Sequence, residues 1–302
     1  MANSAVLLSI DARGVATVTF NRPDVNNAYN DDMLNGMLAG LDALAKAPGA
    51  RAVILRGSGR HFQAGADLRW VNGVREKSAA ENVAASRMTA QAVDRLNRLH
   101  LPVIALVQGA CFGGGTGIVA ACDIVVAADD AIFSIAEVRW GLQAAIIIPQ
   151  LNDAMSARQV RRYALTGERF DASEARRIGL VHEVVPLARL EARGEEIVAQ
   201  VLENSPAAMA ATKRHILEHA WGGLDAATLE GLIHSHASSR QSEDAVEGLA
   251  SFAEKRPARW SPKAGEHLTR PLAEHRRPPR AEQQPDPPAA RSAGGSRRKT
   301  RG

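Results

Sequence analysis

The sequence predicts an α/β fold closed by a helical C-terminal layer, and three observations carry that expectation. Short β-branched runs alternate with helix-spaced stretches through the first half of the chain. A glycine-rich stretch lies between two apolar runs, where a strand would turn into a helix. From Ser156 onward helical patterns with charged faces follow one another without a long linker, which argues for one integrated fold.

Residues 15–20 (VATVTF) and 52–56 (AVILR) read as strands, and residues 31–47 between them carry leucines and methionines at helical spacing. That is a β-α-β rhythm. Residues 102–107 (PVIALV) and 123–128 (DIVVAA) are two further apolar strands, and residues 113–121 between them form a glycine-rich turn passing into a helix. Helices are expected over 157–166, 172–178, 190–204, 206–219 and 224–236. Ser205-Pro206 and Asp171 with Glu174 look like helix starts, a capping side chain followed by proline or by an acidic residue. No repeat of fixed period is present. From Lys263 the chain is rich in proline, glycine and charge and almost free of aliphatic residues, so it cannot bury enough apolar surface to offset its ordering entropy. This divides the chain into a core (1–200), a C-terminal helical region (201–262) and a disordered basic tail (263–302).

With 45% hydrophobic and 23% charged residues, the 302-residue chain has an ordinary globular composition. It contains no apolar run of the ~20 residues a bilayer span needs. The N-terminus does not read as a signal peptide, so a cytoplasmic location is expected. The net charge of +4 owes much to the tail. No aromatic residues interleave its charges, so nucleic-acid binding is not expected. Two cysteines, Cys111 and Cys122, are too few for a disulfide framework and suit core packing. His215 and His219 share a helix face without a third ligand, His234 and His236 make no better case, and no metal is expected.

Two glycine-containing turns each follow a strand: residues 62–68 (FQAGADL) and 113–117 (GGGTG). Such turns leave backbone N–H groups free, and two of them converging on one oxygen would stabilise a developing negative charge. Alone, the glycine run reads equally as close helix-to-strand packing. It is neither a Walker loop nor a dinucleotide fingerprint.

The order of the pieces resembles the crotonase (enoyl-CoA hydratase/isomerase) superfamily. The blocks that carry the resemblance are 21–30 (NRPDVNNAYN), 61–68 (HFQAGADL), 102–115 (PVIALVQGACFGGG), 122–124 (CDI), 133–141 (FSIAEVRWG), and 165–170 (LTGERF) followed by 175–181 (ARRIGLV). The resemblance implies a spiral of β-β-α turns with a C-terminal helical trimerisation region. It also implies trimers or hexamers, and an acyl-CoA thioester as substrate, coenzyme A arriving as part of it with no other cofactor. Carried over block by block, the amides of Ala66 and Gly114 correspond to the oxyanion hole, and Ala28 and Ala64 to main-chain contacts with coenzyme A. Glu137 corresponds to one of the two glutamates that flank the double bond in the family's hydratases. The position of the other is Gly117.

The glycine at 117, with Glu-Val-Arg-x-Gly-Leu from Glu137, resembles bacterial hydratases of branched glutaconyl-CoA thioesters. Those substrates carry a second carboxylate, for which Arg69 or Arg139 could form a clamp, with Trp140 and residues 144–149 lining an acyl pocket. A single glutamate also resembles the family's Δ3,Δ2-enoyl-CoA isomerases. A reading of another class is a non-catalytic scaffold or RNA-binding protein using the tail.

Overall fold

The computed structural model describes residues 4–219 and 225–258. In chain order the elements are β1 (Val6–Ile10), β2 (Val15–Phe20), α1 (Asp31–Lys46), β3 (Ala52–Gly57), α2 (Leu68–Arg75), α3 (Ala79–Asn97) and β4 (Val103–Val107). They continue with β5 (Ala110–Phe112), α4 (Gly114–Ala120), β6 (Ile124–Ala128), β7 (Ile132–Ser134), α5 (Ile148–Met155), α6 (Ala157–Thr166), β8 (Phe170–Asp171) and α7 (Ala172–Arg177). The last are β9 (Glu183–Val185), α8 (Leu190–Leu202), α9 (Pro206–His219), α10 (Ala226–Arg240) and α11 (Glu243–Ala253).

Six strands form one sheet in the order β1-β2-β3-β4-β6-β9. The β1–β2 pair is antiparallel and the others are parallel. The central strand β4 is buried along its whole length, as a strand covered on both faces must be. A second, three-stranded sheet runs β5-β7-β8. Successive excursions from the large sheet to the small one and back through a helix give the expected spiral. All four strands and all seven helices foreseen in the sequence are present. The tail from Lys263 lies outside the described residues. Among the described residues no helix is long and apolar enough to cross a membrane.

Local chemistry fixes the ends of the elements that matter for the site. Asn30 accepts a hydrogen bond from the Met33 amide at 3.2 Å and caps α1, whose buried Met33, Leu34, Met37, Leu41 and Leu44 form one stripe against the core. Ser78 and Glu81 close a reciprocal capping box on α3. Asp171 caps α7 through the Glu174 amide at 2.8 Å, and Ser205 accepts from the Ala208 amide at the start of α9. Asp123 accepts from the Val103 amide and from Lys213, both at 2.7 Å, which ties α9 to the end of the core sheet. The helices over 79–97 and 243–253 are not foreseen in the sequence, because alanine-rich and polar runs give little periodic contrast.

Candidate active site

The two glycine turns meet. The Gln63 amide donates to Ala110 O at 3.1 Å and the Phe112 amide donates to Gln63 O at 2.9 Å, which stitches the turn after β3 to β5. Tyr29 then pairs with the far end of the same turn: its amide donates to Gly65 O, and the Asp67 amide donates to Tyr29 O, both at 2.9 Å. In this parallel pairing the Ala66 amide faces away from Tyr29. It makes no hydrogen bond among the described residues, and neither does the Gly114 amide in the first turn of α4. Gly65 and Gly113 both have positive φ, +88° and +51°, the conformation that favours glycine. A methyl group on Gly113 would stand 3.7 Å from Gly65 Cα and 3.1 Å from Glu137 Oε1. The turns and the carboxylate therefore share one spot. Buried Gln63 braces it, accepting from the Gly65 amide at 2.9 Å and donating to Gly65 O at 3.1 Å.

Glu137 reaches this spot from a short 3₁₀ turn, Glu137–Trp140, that follows β7. The Gly113 amide donates to Ser134 O at 2.8 Å, so the strand that carries Glu137 is fastened to the glycine turn itself. Its neighbour Arg139 does not pair with it; the Arg139 Nε donates to Gly167 O at 2.8 Å. Glu137 is half-buried as a residue, but its Oε2 is shut off from solvent and has no hydrogen-bond partner. Burial pushes its carboxyl up to about 7, because the charged form loses hydration. A carboxyl of that kind moves protons readily near neutral pH.

At Gly117, where the resemblance leads one to look for a second glutamate, a side chain has no space. A Cβ on Gly117 would stand 2.2 Å from Ile147 Cγ2 and 2.5 Å from Ile147 Cβ. Glycine at 117 is thus required by an isoleucine packed against the backbone of α4. The departure from the two-glutamate pattern is accordingly a feature of packing as well as of chemistry.

A narrow cavity of about 20 Å³ opens at Glu137 and Gly114, room for roughly one water. Leu34, Met37, Val93, Ile118, Ile146 and Ile147 make most of its wall. Its polar contributors include Tyr29, which sequence reasoning did not single out, and His236, which it weighed only as a metal ligand and set aside. Tyr29 stands inside a quoted motif, and its signal was an aromatic hydroxyl two residues after the paired asparagines. His236 had only the spacing to Arg240, four residues on. Of the stretch 144–149, Ala144, Ile146 and Ile147 line the cavity. Arg69, Arg139 and Trp140 do not. The Arg69 side chain is 85% exposed beside Asp67, Arg139 points to Gly167, and Trp140 packs edge-on against Phe252 of α11 at 4.7 Å. Ala28 is buried and Ala64 partly so; the Ala64 amide donates to Asn26 O at 3.1 Å, and Arg22 bridges Ala28 O to Asp67. Cys111 is buried and burial raises both cysteine thiols, which keeps them protonated core groups. Asp67 caps α2 and Asp123 holds Lys213.

The fold and these paired turns define a mixed α/β protein of the crotonase type, and comparison with known proteins agrees. The sequence pattern of the Enoyl-CoA hydratase/isomerase family matches residues 11–263. A mitochondrial Delta(3,5)-Delta(2,4)-dienoyl-CoA isomerase of Dictyostelium discoideum is 33% identical over 260 residues, 82% of this chain and 87% of that protein. A hydroxycinnamoyl-CoA hydratase-lyase of Pseudomonas fluorescens is 34% identical over 205 residues, covering 66% of this chain and 74% of the relative. The crystal structure of an enoyl-CoA hydratase from Mycobacterium avium superposes with a TM-score of 0.74 at 33% identity, over 86% of this chain and all of that one (100%). The chain belongs to the enoyl-CoA hydratase/isomerase family.

Proposed function

We propose that the protein is an enoyl-CoA hydratase that adds water across the 2,3-double bond of an acyl-CoA, with a branched glutaconyl-CoA type of thioester as its substrate. The observation that carries the reading is the Glu137 carboxyl, its Oε2 buried and without a partner, held beside the junction of two turns with free amides. The Ala66 and Gly114 N–H groups receive the thioester oxygen and stabilise the enolate that forms as hydroxide adds to the β-carbon. Glu137 takes the proton released by the water and returns a proton to the α-carbon, giving a 3-hydroxyacyl-CoA. Ala28 and Ala64 offer main-chain contacts to coenzyme A. Assembly as trimers or hexamers through residues 201–262 belongs to the same proposal, and light scattering of the purified protein checks it.

A second reading, a Δ3,Δ2-enoyl-CoA isomerase, is favoured by Ile147, which leaves no room for a second carboxylate at 117. One glutamate suffices to carry a proton between two carbons. Mass spectrometry separates the two when 3-methylglutaconyl-CoA and a 3-enoyl-CoA are incubated with the protein in the same buffer. Gain of one water on the first supports the hydratase. Conversion of only the second, without change of mass, replaces it with the isomerase.

A further inference from the structure

Arg240, at the end of α10, is 2% exposed and has no acidic partner among the described residues. Its guanidinium donates to Asn82 Oδ1 at 2.9 Å, to Asn82 O at 3.3 Å and to His236 Nδ1 at 3.0 Å, and stands 5.7 Å over the Trp70 ring. All of these are neutral groups. A guanidinium keeps its proton even when buried, so a full positive charge is held inside the protein without a counter-ion.

The charge is relayed to the cavity wall. Arginine can only donate, and the Ser86 hydroxyl approaches the same ring nitrogen at 3.2 Å. Nδ1 of His236 must therefore be the acceptor, which places the ring proton on Nε2. Burial and the neighbouring guanidinium push His236 down to about 3, so the ring stays neutral with this one tautomer at physiological pH. His236 Nε2 makes no hydrogen bond among the described residues, yet it is not sealed from solvent, and the Tyr29 hydroxyl is in the same condition. Both residues line the cavity, and the Tyr29 hydroxyl lies 3.4 Å from where a Cβ of Gly114 would stand. Two free donors with a buried positive charge behind them thus flank the reacting end of the pocket.

We infer that Tyr29, His236 and Arg240 form a recognition site for a carboxylate on the acyl chain, so that the substrate is a short thioester whose second acid group lies within a few carbons of the thioester. His236 Nε2–H and the Tyr29 hydroxyl donate to the carboxylate, and Arg240 neutralises it through His236. This deepens the glutaconyl-type reading and rests on the assignment of the cavity to the acyl group, which has to widen it beyond the about 20 Å³ now open, and it moves the clamp from Arg69 and Arg139 to Tyr29 and α10.

The test is the affinity of the full-length protein for glutaryl-CoA and for valeryl-CoA, measured by titration calorimetry. These two are non-reacting thioesters of equal chain length that differ in the terminal carboxylate. Glutaryl-CoA should bind about tenfold to a hundredfold more tightly, the range of a charge-assisted hydrogen bond. In Arg240→Met the ratio should fall to near one. Equal affinities in the wild-type protein, or a preference for valeryl-CoA, overturn the inference, whether or not the variant folds. A protein that hydrates crotonyl-CoA but binds the pair equally keeps the hydratase reading and loses this one. Selective binding of glutaryl-CoA without hydration of any enoyl-CoA does the reverse, and binding of neither thioester removes both.

Discussion

The two walls of the cavity are made of different material. One belongs to the α/β core, where Gly114 and the Glu137 carboxylate line the cavity beside the turns that carry the Ala66 amide and two glycines at positive φ. The other, from α10, works through side chains, with a neutral imidazole backed by a buried guanidinium. A backbone device needs particular small residues at particular places, so it leaves a mark in the sequence. A side-chain device on a helix needs only one histidine and one arginine on a shared face, which many solvated helices also carry.

That contrast explains what was legible. The strands and the glycine turns could be read from residue order, because each depends on local spacing or on a glycine, whereas Glu137 and the departure at Gly117 came only with the resemblance to the crotonase superfamily. The cause of the departure could be read from neither, since Ile147 is thirty residues away in sequence and meets Gly117 only through tertiary packing. The place of His236 was missed for the same reason: nothing around it tells that α10 lies against α3 and brings it to Ser86. Arg69, Arg139 and Trp140 were chosen for nearness to motif residues in sequence, and a turn sends neighbours in different directions. Residues two positions from Glu137 point away from it.

The comparison can be strained from either wall. The largest structural effect is expected for Gly117→Ala, whose methyl would stand 2.2 Å from Ile147 Cγ2. Overpacking of this kind costs about 1–3 kcal/mol or more. Pairing it with Ile147→Ala should recover a good part of the loss, and chemical denaturation of both single variants and the double variant measures the coupling. Additive losses would mean that Ile147 is not what excludes a side chain at 117.

The charge state of Glu137 gives a pH signature. Its carboxyl is raised from 4.5 to about 7, so between those values the folded protein binds more protons than the unfolded chain. Stability therefore falls as pH rises through that window, and the loss is complete above it. Glu137→Gln removes the cost of burying the charge and should be more stable than wild type at pH 8 by about 1–3 kcal/mol, with the gap closing near pH 4.5. A gap that does not change with pH in thermal melts would place the carboxyl in a more solvated setting.

Smaller still is the effect foreseen for Arg69→Ala. The side chain is exposed and its ion pair with Asp67 is loose at 3.8 Å, so stability should change by less than about 0.5 kcal/mol. Turnover should also be nearly unchanged, which steady-state rates would check. A large rise in KM would return Arg69 to the substrate.

The central claim is that one carboxyl, Glu137, moves the protons while backbone amides hold the oxygen. The most direct test is turnover of an enoyl-CoA by Glu137→Gln, with thioester binding measured on the same preparation. The account predicts a loss of about a hundredfold to ten-thousandfold in kcat with binding retained. Undiminished turnover in a variant that binds normally would contradict it and send the chemistry to another group.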